Sequence, residues 1–128
     1  MTILQIITSS RCWAGMEQYA FDLSCEMIER GNRVVFVIAD DGDVVYPRFQ
    51  KIGKVYLLPL RSKFDFASIR ELKKIVRREK PDIIHTHQPK NIFHAFFACG
   101  RGRRARIVHT LHFRINPTSP QWLYSWIF

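Results

Sequence analysis

ITSSRCWAGMEQYAFDLSCEMIERGNRVVFVI, residues 7–38, decides the fold. Together with the preceding ILQII it reads as strand, loop, helix, strand. Residues 3–8 are a short Ile-rich run, the pattern of a strand buried on both faces of a parallel sheet. Residues 16–30 carry helical spacing: Tyr19, Leu23 and Met27 form one stripe, with Ala20 and Ile28 beside it. Gly31 supplies the position after the helix end, where positive φ is cheap. Residues 33–39 (RVVFVIA) are a second buried strand.

The alternation continues outward from this unit. DDGD (40–43) is a turn and KVYLL (54–58) a third strand. Residues 66–80 form a helix with Phe66, Ile69, Leu72, Ile75 and Val76 on one face. Arg70, Lys73, Lys74, Arg77 and Arg78 take the other, and Pro81 stops it. DIIHT (82–86) is a fourth strand, NIFHAFFAC (91–99) a buried helix capped by Asn91, and RIVHTL (106–111) a fifth strand. Strands alternating with helices predict an α/β, Rossmann-like domain over 1–128, its mostly parallel sheet flanked by helices. Ligands of such sheets sit beyond the C-terminal strand ends. The loops to inspect are therefore 9–15, 40–47, 59–65, 87–90 and 112–120.

The net charge is +9, and all of that excess falls in residues 61–106. Such a field attracts phosphates, nucleic acid or an anionic membrane, or is simply a solvated basic face. Three widely spaced cysteines without a CxxC pair read as reduced thiols of a cytosolic protein. The N-terminus lacks the basic region of a signal peptide. No stretch approaches ~18 uninterrupted apolar residues, so no spanning helix is expected.

GRGRRA (100–105) matches a dinucleotide-binding pattern on paper, but it follows a helix and precedes a strand, the reverse of that fingerprint. SSRCWAG (9–15) has the right place without the glycine pattern. The helix N-terminus at Gly15 and Met16 offers backbone N–H groups to an anion, and Gly15 permits close approach. Equally, Gly15 can serve the turn alone, with Glu17 favouring the first helical turn. His85 reads as a buried histidine; His87 and His112 stand at strand exits, where an imidazole can act as general base or hydrogen-bond a hydroxyl or phosphate. The spacing offers no third and fourth metal ligand, so no metal site is expected. Phe93, Phe96 and Phe97 fall in an apolar helix and read as core, which argues against a nucleic-acid surface.

Taken together, three pieces resemble the N-terminal domain of family-four, retaining GT-B glycosyltransferases. They are residues 3–38, RELKKIVRREKPDIIHTHQPKN (70–91) and RIVHTLH (106–112). The resemblance implies that the Ala14–Gly15 loop lies by the donor diphosphate or between donor and acceptor; Ala14 stands where relatives usually have a first glycine. Glu17 follows in the matching place. His112 matches the histidine that contacts the transferred sugar, and His87, Gln88 and Lys90 face the acceptor. No cofactor is implied. Expected partners are a nucleotide-sugar donor, a glycan or lipid-linked acceptor and an anionic membrane surface met by Arg70, Lys73, Lys74, Arg77 and Arg78, with no nucleic acid. The implied location is cytoplasmic, peripheral on the inner face of the cytoplasmic membrane. The resemblance also implies a second, donor-binding domain that these 128 residues lack, so the chain alone is expected to transfer no sugar. The alternative is a non-catalytic Rossmann-like module that docks anionic ligands or a partner domain.

Overall fold

The structure is a computed structural model that describes residues 1–102 and 105–112. The aromatic run WLYSWIF (122–128), the loop 113–120 and Arg103 and Arg104 lie outside the described residues. The chain runs β1 (Thr2–Ile7), α1 (Gly15–Glu29), β2 (Arg33–Ala39), α2 (Tyr46–Gln50), β3 (Lys54–Leu58), α3 (Phe66–Glu79), β4 (Ile83–Thr86), α4 (Pro89–Cys99) and β5 (Arg106–His109). The strands form one parallel sheet in the order β3-β2-β1-β4-β5. This is the α/β, Rossmann-like architecture that the alternation of strands and helices predicts. β1 and β2 are near-continuous buried runs because both of their faces are covered. On one face Ile3, Ile7, Val34, Phe36 and Ile38 pack with Ala20 of α1, Phe49 of α2 and Val45 just before it. On the other, Leu4, Ile6, Val35 and Val37 meet Leu72 and Ile75 of α3 and Ala95 and Ala98 of α4.

Several elements differ from expectation. α2 has no counterpart in the sequence pattern; at five residues it is too short to show a period. α4 starts at Pro89 with Gln88 as its N-cap, two residues before the expected start at Asn91, because Pro suits a first helical turn. Asn91 is instead fully buried. α1 sets Ala20 and Ser24 deepest, since small residues let the helix approach the sheet, and Tyr19 is rotated to an exposed flank. Phe66 and Phe97 lie outside the core, at 75% and 50% exposure. β5 is half-exposed and ends at His109, two residues short of the expected boundary.

α3 ends on Lys80 in the left-handed region (φ 48°), ahead of Pro81. Just before it, Glu79 is buried and binds Arg33 of β2 and Lys54 and Tyr56 of β3, fastening α3 to that half of the sheet. Burial alone would raise its pKa. Hydrogen bonds from Tyr56, Lys54 and Arg33 outweigh burial and hold it down, at about 2. A depressed carboxyl pKa contributes stability above the unfolded value near 4.5 and loses it as pH falls toward 2. Arg33 and Lys54 are half-exposed and screened, so the contribution is roughly 2 kcal/mol. Urea unfolding between pH 7 and pH 2.5 is therefore expected to show stability falling below about pH 4.5. Glu79→Gln is expected to be less stable at neutral pH and to flatten that acid limb.

Candidate functional site at the C-terminal edge of the sheet

The chain leaves β1 to one side of the sheet and arrives at β4 on the other. The gap between these adjacent strands is thus the topological switch point. Two loops on the β2 side of it are tied together by Asp41. That carboxylate accepts from the Ser10 N–H (2.6 Å) and the Ser9 hydroxyl (3.1 Å), and pairs with Arg11 (3.2 Å). Ser10 in turn receives the N–H of Val44 on its carbonyl and that of Tyr46 on its hydroxyl. Gly42 makes this contact possible: a Cβ there would stand 2.7 Å from the Ser10 carbonyl oxygen.

The tied loop delivers the N-terminus of α1. Its N-cap, Ala14, has no side-chain oxygen, and Glu17 reaches back to accept the Ala14 N–H at 3.0 Å. Glu17 is buried, and this bond commits one of its oxygens to the loop. Ala14 and Gly15 are exposed. Among the described residues a Cβ on Gly15 would meet nothing within 4 Å, so open space fronts the first N–H groups of the helix, which have no acceptor within it.

On the β4 side, four histidines gather. His85 and His87 leave β4 with ring centroids 4.3 Å apart, and His87 lies 5.3 Å from His112. Tyr19 of α1 stands edge-on to both His87 and His112. His85 Nε2 bonds the Thr110 hydroxyl (2.7 Å), and His109 Nδ1 bonds the Thr86 hydroxyl (2.9 Å). His87 lies deeper than its strand-exit position suggests. It is 1% exposed, with Nε2 on Gln5 Oε1 (2.7 Å) and Nδ1 on His112 Nε2 (3.0 Å). Burial first, then the neighbouring histidines, lowers the pKa of His85 to about 4 and that of His87 to about 3. Burial likewise lowers His109. His112 is only partly buried, which leaves it the accessible member of the pair.

Gln88 caps α4 with its backbone, and Lys90 in the first turn donates to the Leu60 carbonyl (2.9 Å). Burial lowers the Lys90 pKa against the opposing pull of Asp41 and Asp65. Asn91, also in that turn, donates its amide to Thr8 Oγ1 at the end of β1. The structure thus places Ala14, Gly15, Glu17, His87, Gln88, Lys90 and His112 along one edge of the sheet. Sequence reasoning missed Gln5, Asp41, Gly42 and Asn91. Only Asp41 and Gly42 had left a signal, as the DDGD turn.

Arg70, Lys73, Lys74, Arg77 and Arg78 are all exposed on α3, with Lys74 paired to Glu71. A cavity of about 560 Å³ lined by Lys73, Arg77, Lys80 and Arg101 lies at the opposite, N-terminal edge of the sheet, between the ends of α3 and α4. Among the described residues no group of three His, Cys, Asp or Glu could hold a metal ion, and no helix is long and apolar enough to cross a membrane.

Comparison with known proteins fits this geometry. A sequence-family model described as Glycosyltransferase Family 4 matches residues 13–128. One component of the human phosphatidylinositol N-acetylglucosaminyltransferase is 36% identical over 81 residues, covering 57% of this chain and 17% of that protein. A glycosyltransferase from Rickettsia africae superposes with a TM-score of 0.74 at 19% identity, covering 96% of this chain and 33% of that one. The lipopolysaccharide outer core galactosyltransferase WaaB gives 0.64 at 18% identity, covering 85% and 32%. The chain therefore spans a third or less of each of these proteins.

Because the Gly42 contact is with backbone, Gly42→Ala is expected to part the two loops and cost about 1–3 kcal/mol. Thermal unfolding of the variant checks this, with Gly15→Ala as the control expected to unfold close to wild type.

Proposed function

We propose that this chain, which belongs to Glycosyltransferase Family 4, is the acceptor-side half of a retaining enzyme that moves a sugar from a nucleotide sugar to a glycan or lipid-linked acceptor. One observation carries the reading. An open helix N-terminus and an accessible histidine, His112, flank the switch point at the C-terminal edge of the sheet. Sugar transfer from a nucleotide diphosphate leaves a diphosphate whose developing charge must be stabilised. Free N–H groups at Gly15 and Met16 and the positive end of the α1 dipole suit that charge. His112 suits a hydroxyl of the transferred sugar. Gln88 and Lys90 suit the acceptor side, with His87 buried behind them.

The human relative is named for phosphatidylinositol, and WaaB for lipopolysaccharide. Both names support an acceptor anchored in lipid. The α3 cations then have a use at an anionic surface, where each contributes about 1 kcal/mol. The exposed face is charged rather than apolar, which favours surface attraction without deep insertion. On this reading the protein works on the cytoplasmic side, peripheral to the inner face of the cytoplasmic membrane.

Gly15→Val separates ligand approach from folding, because its side chain enters open space. In the enzyme containing this domain it is expected to abolish transfer while the domain keeps its unfolding temperature; retained activity returns the loop to a simple turn. Vesicle sedimentation checks the membrane reading. Binding is expected to anionic vesicles, to weaken with salt and to fall in an Arg77→Glu, Arg78→Glu double variant. Equal binding to neutral and anionic vesicles counts against it.

A further inference from the structure

We propose that Gln5 and His87 are positioning residues that fix which ring nitrogen of His112 carries the proton. Donors and acceptors can be counted along a buried chain. Gln5 is wholly buried in β1, the central strand. Its amide nitrogen lies by the Met27 sulfur, a weak acceptor at 4.0 Å, and its oxygen faces His87 Nε2 at 2.7 Å. A carbonyl oxygen accepts only, so His87 Nε2 carries a hydrogen and donates it. A neutral imidazole has one N–H, which leaves His87 Nδ1 as an acceptor. His112 Nε2 lies 3.0 Å from that atom and must therefore be the donor. His112 Nδ1 is left with a lone pair and no protein partner among the described residues.

The chain works only while His87 stays neutral, and its surroundings keep it so. Gln5 on β1, Tyr19 on α1, His85 on β4 and His109 and His112 from the β5 side face it, and its charged-group influences come from histidines alone. Among the described residues no carboxylate supports a second proton there, and burial opposes one. A neutral His112 is thus presented as a hydrogen-bond acceptor toward its ligand. A neutral ring in that state suits a hydroxyl and repels a phosphate oxygen. That use by a sugar hydroxyl rests on the function proposed above; the proton order itself does not.

Histidine ¹⁵N NMR on the chain itself tests the order without donor, acceptor or turnover, so it stands apart from any failure of sugar transfer. His87 is expected as a single Nε2–H tautomer at neutral pH, and the neutral form of His112 likewise carries its proton on Nε2, protected from exchange. His87→Leu removes the acceptor and is expected to speed that exchange about tenfold. His87→Asn, whose amide oxygen can stand where Nδ1 stood, is expected to restore the protection. Gln5→Leu is expected to leave His87 in a mixture of tautomers. A His112 carrying its proton on Nδ1, or an unprotected Nε2–H in the wild-type chain, overturns the proposal even where a variant does not fold. So does unchanged His112 exchange in a His87→Leu protein with a native backbone spectrum.

Discussion

An amide buried at the centre of an apolar sheet must find partners, and much of this molecule is arranged around that need at Gln5. β1 is covered on both faces, so no water reaches its middle. An unpartnered amide there would cost about 1–3 kcal/mol. Its oxygen is met by a residue 82 positions away, on the strand that the switch in topology brings alongside. The bond exists only if β4 pairs with β1 in the observed register, with His85 opposite Gln5 and His87 two residues beyond. One polar contact therefore links sheet order, strand register and the position of the histidine that bonds His112.

The other half of the edge is held differently. There the polar tie is between loops, and Asp41 supplies it with one carboxylate. Exposed ion pairs such as Arg11–Asp41 contribute little by themselves. The directed bond from the Ser10 N–H and the close approach allowed by Gly42 do more to set the loop. Glu17 then closes the start of α1 from inside as the N3 half of a capping box, accepting the Ala14 N–H, while Ala14 offers no side-chain acceptor to the first helical N–H groups. Because the cap comes from below, the outer side of Gly15 stays clear.

The sheet was legible because buried strands and amphipathic helices have different periods, and Gly31 and Pro81 mark where two helices stop. Phe66 and Phe97 misled because apolarity alone does not say which way the first and last turns of a helix face. α2 had no period to show. At the site, the paired histidines and Gly15 could be read from their places at strand and helix ends. Gln5 could not: within ILQII it looks like a tolerated polar residue, and its meaning depends on a neighbour that only the tertiary fold supplies. The burial of His87 was hidden for the same reason, since it depends on Tyr19 from α1 and His112 from beyond β5.

The distribution of charge separates two tasks. The chain carries nine excess positive charges, yet His85 and His87 at the switch point are held toward neutrality by burial and by neighbouring histidines. Lys90 donates to the Leu60 carbonyl, and Arg11 is paired with Asp41. The cations of α3 are exposed, and Lys73 and Arg77 among them line the cavity at the opposite edge of the sheet. An anion arriving at the C-terminal edge of this domain therefore meets backbone N–H groups at the start of α1, whose strength does not titrate, together with Arg61 and Lys63 of the loop after β3. Long-range attraction belongs to the α3 surface and weakens with salt, whereas orientation at the edge depends on hydrogen-bond geometry. On the proposed reading, the α3 surface brings the domain to a charged surface while hydrogen-bond geometry at the edge orients the sugar.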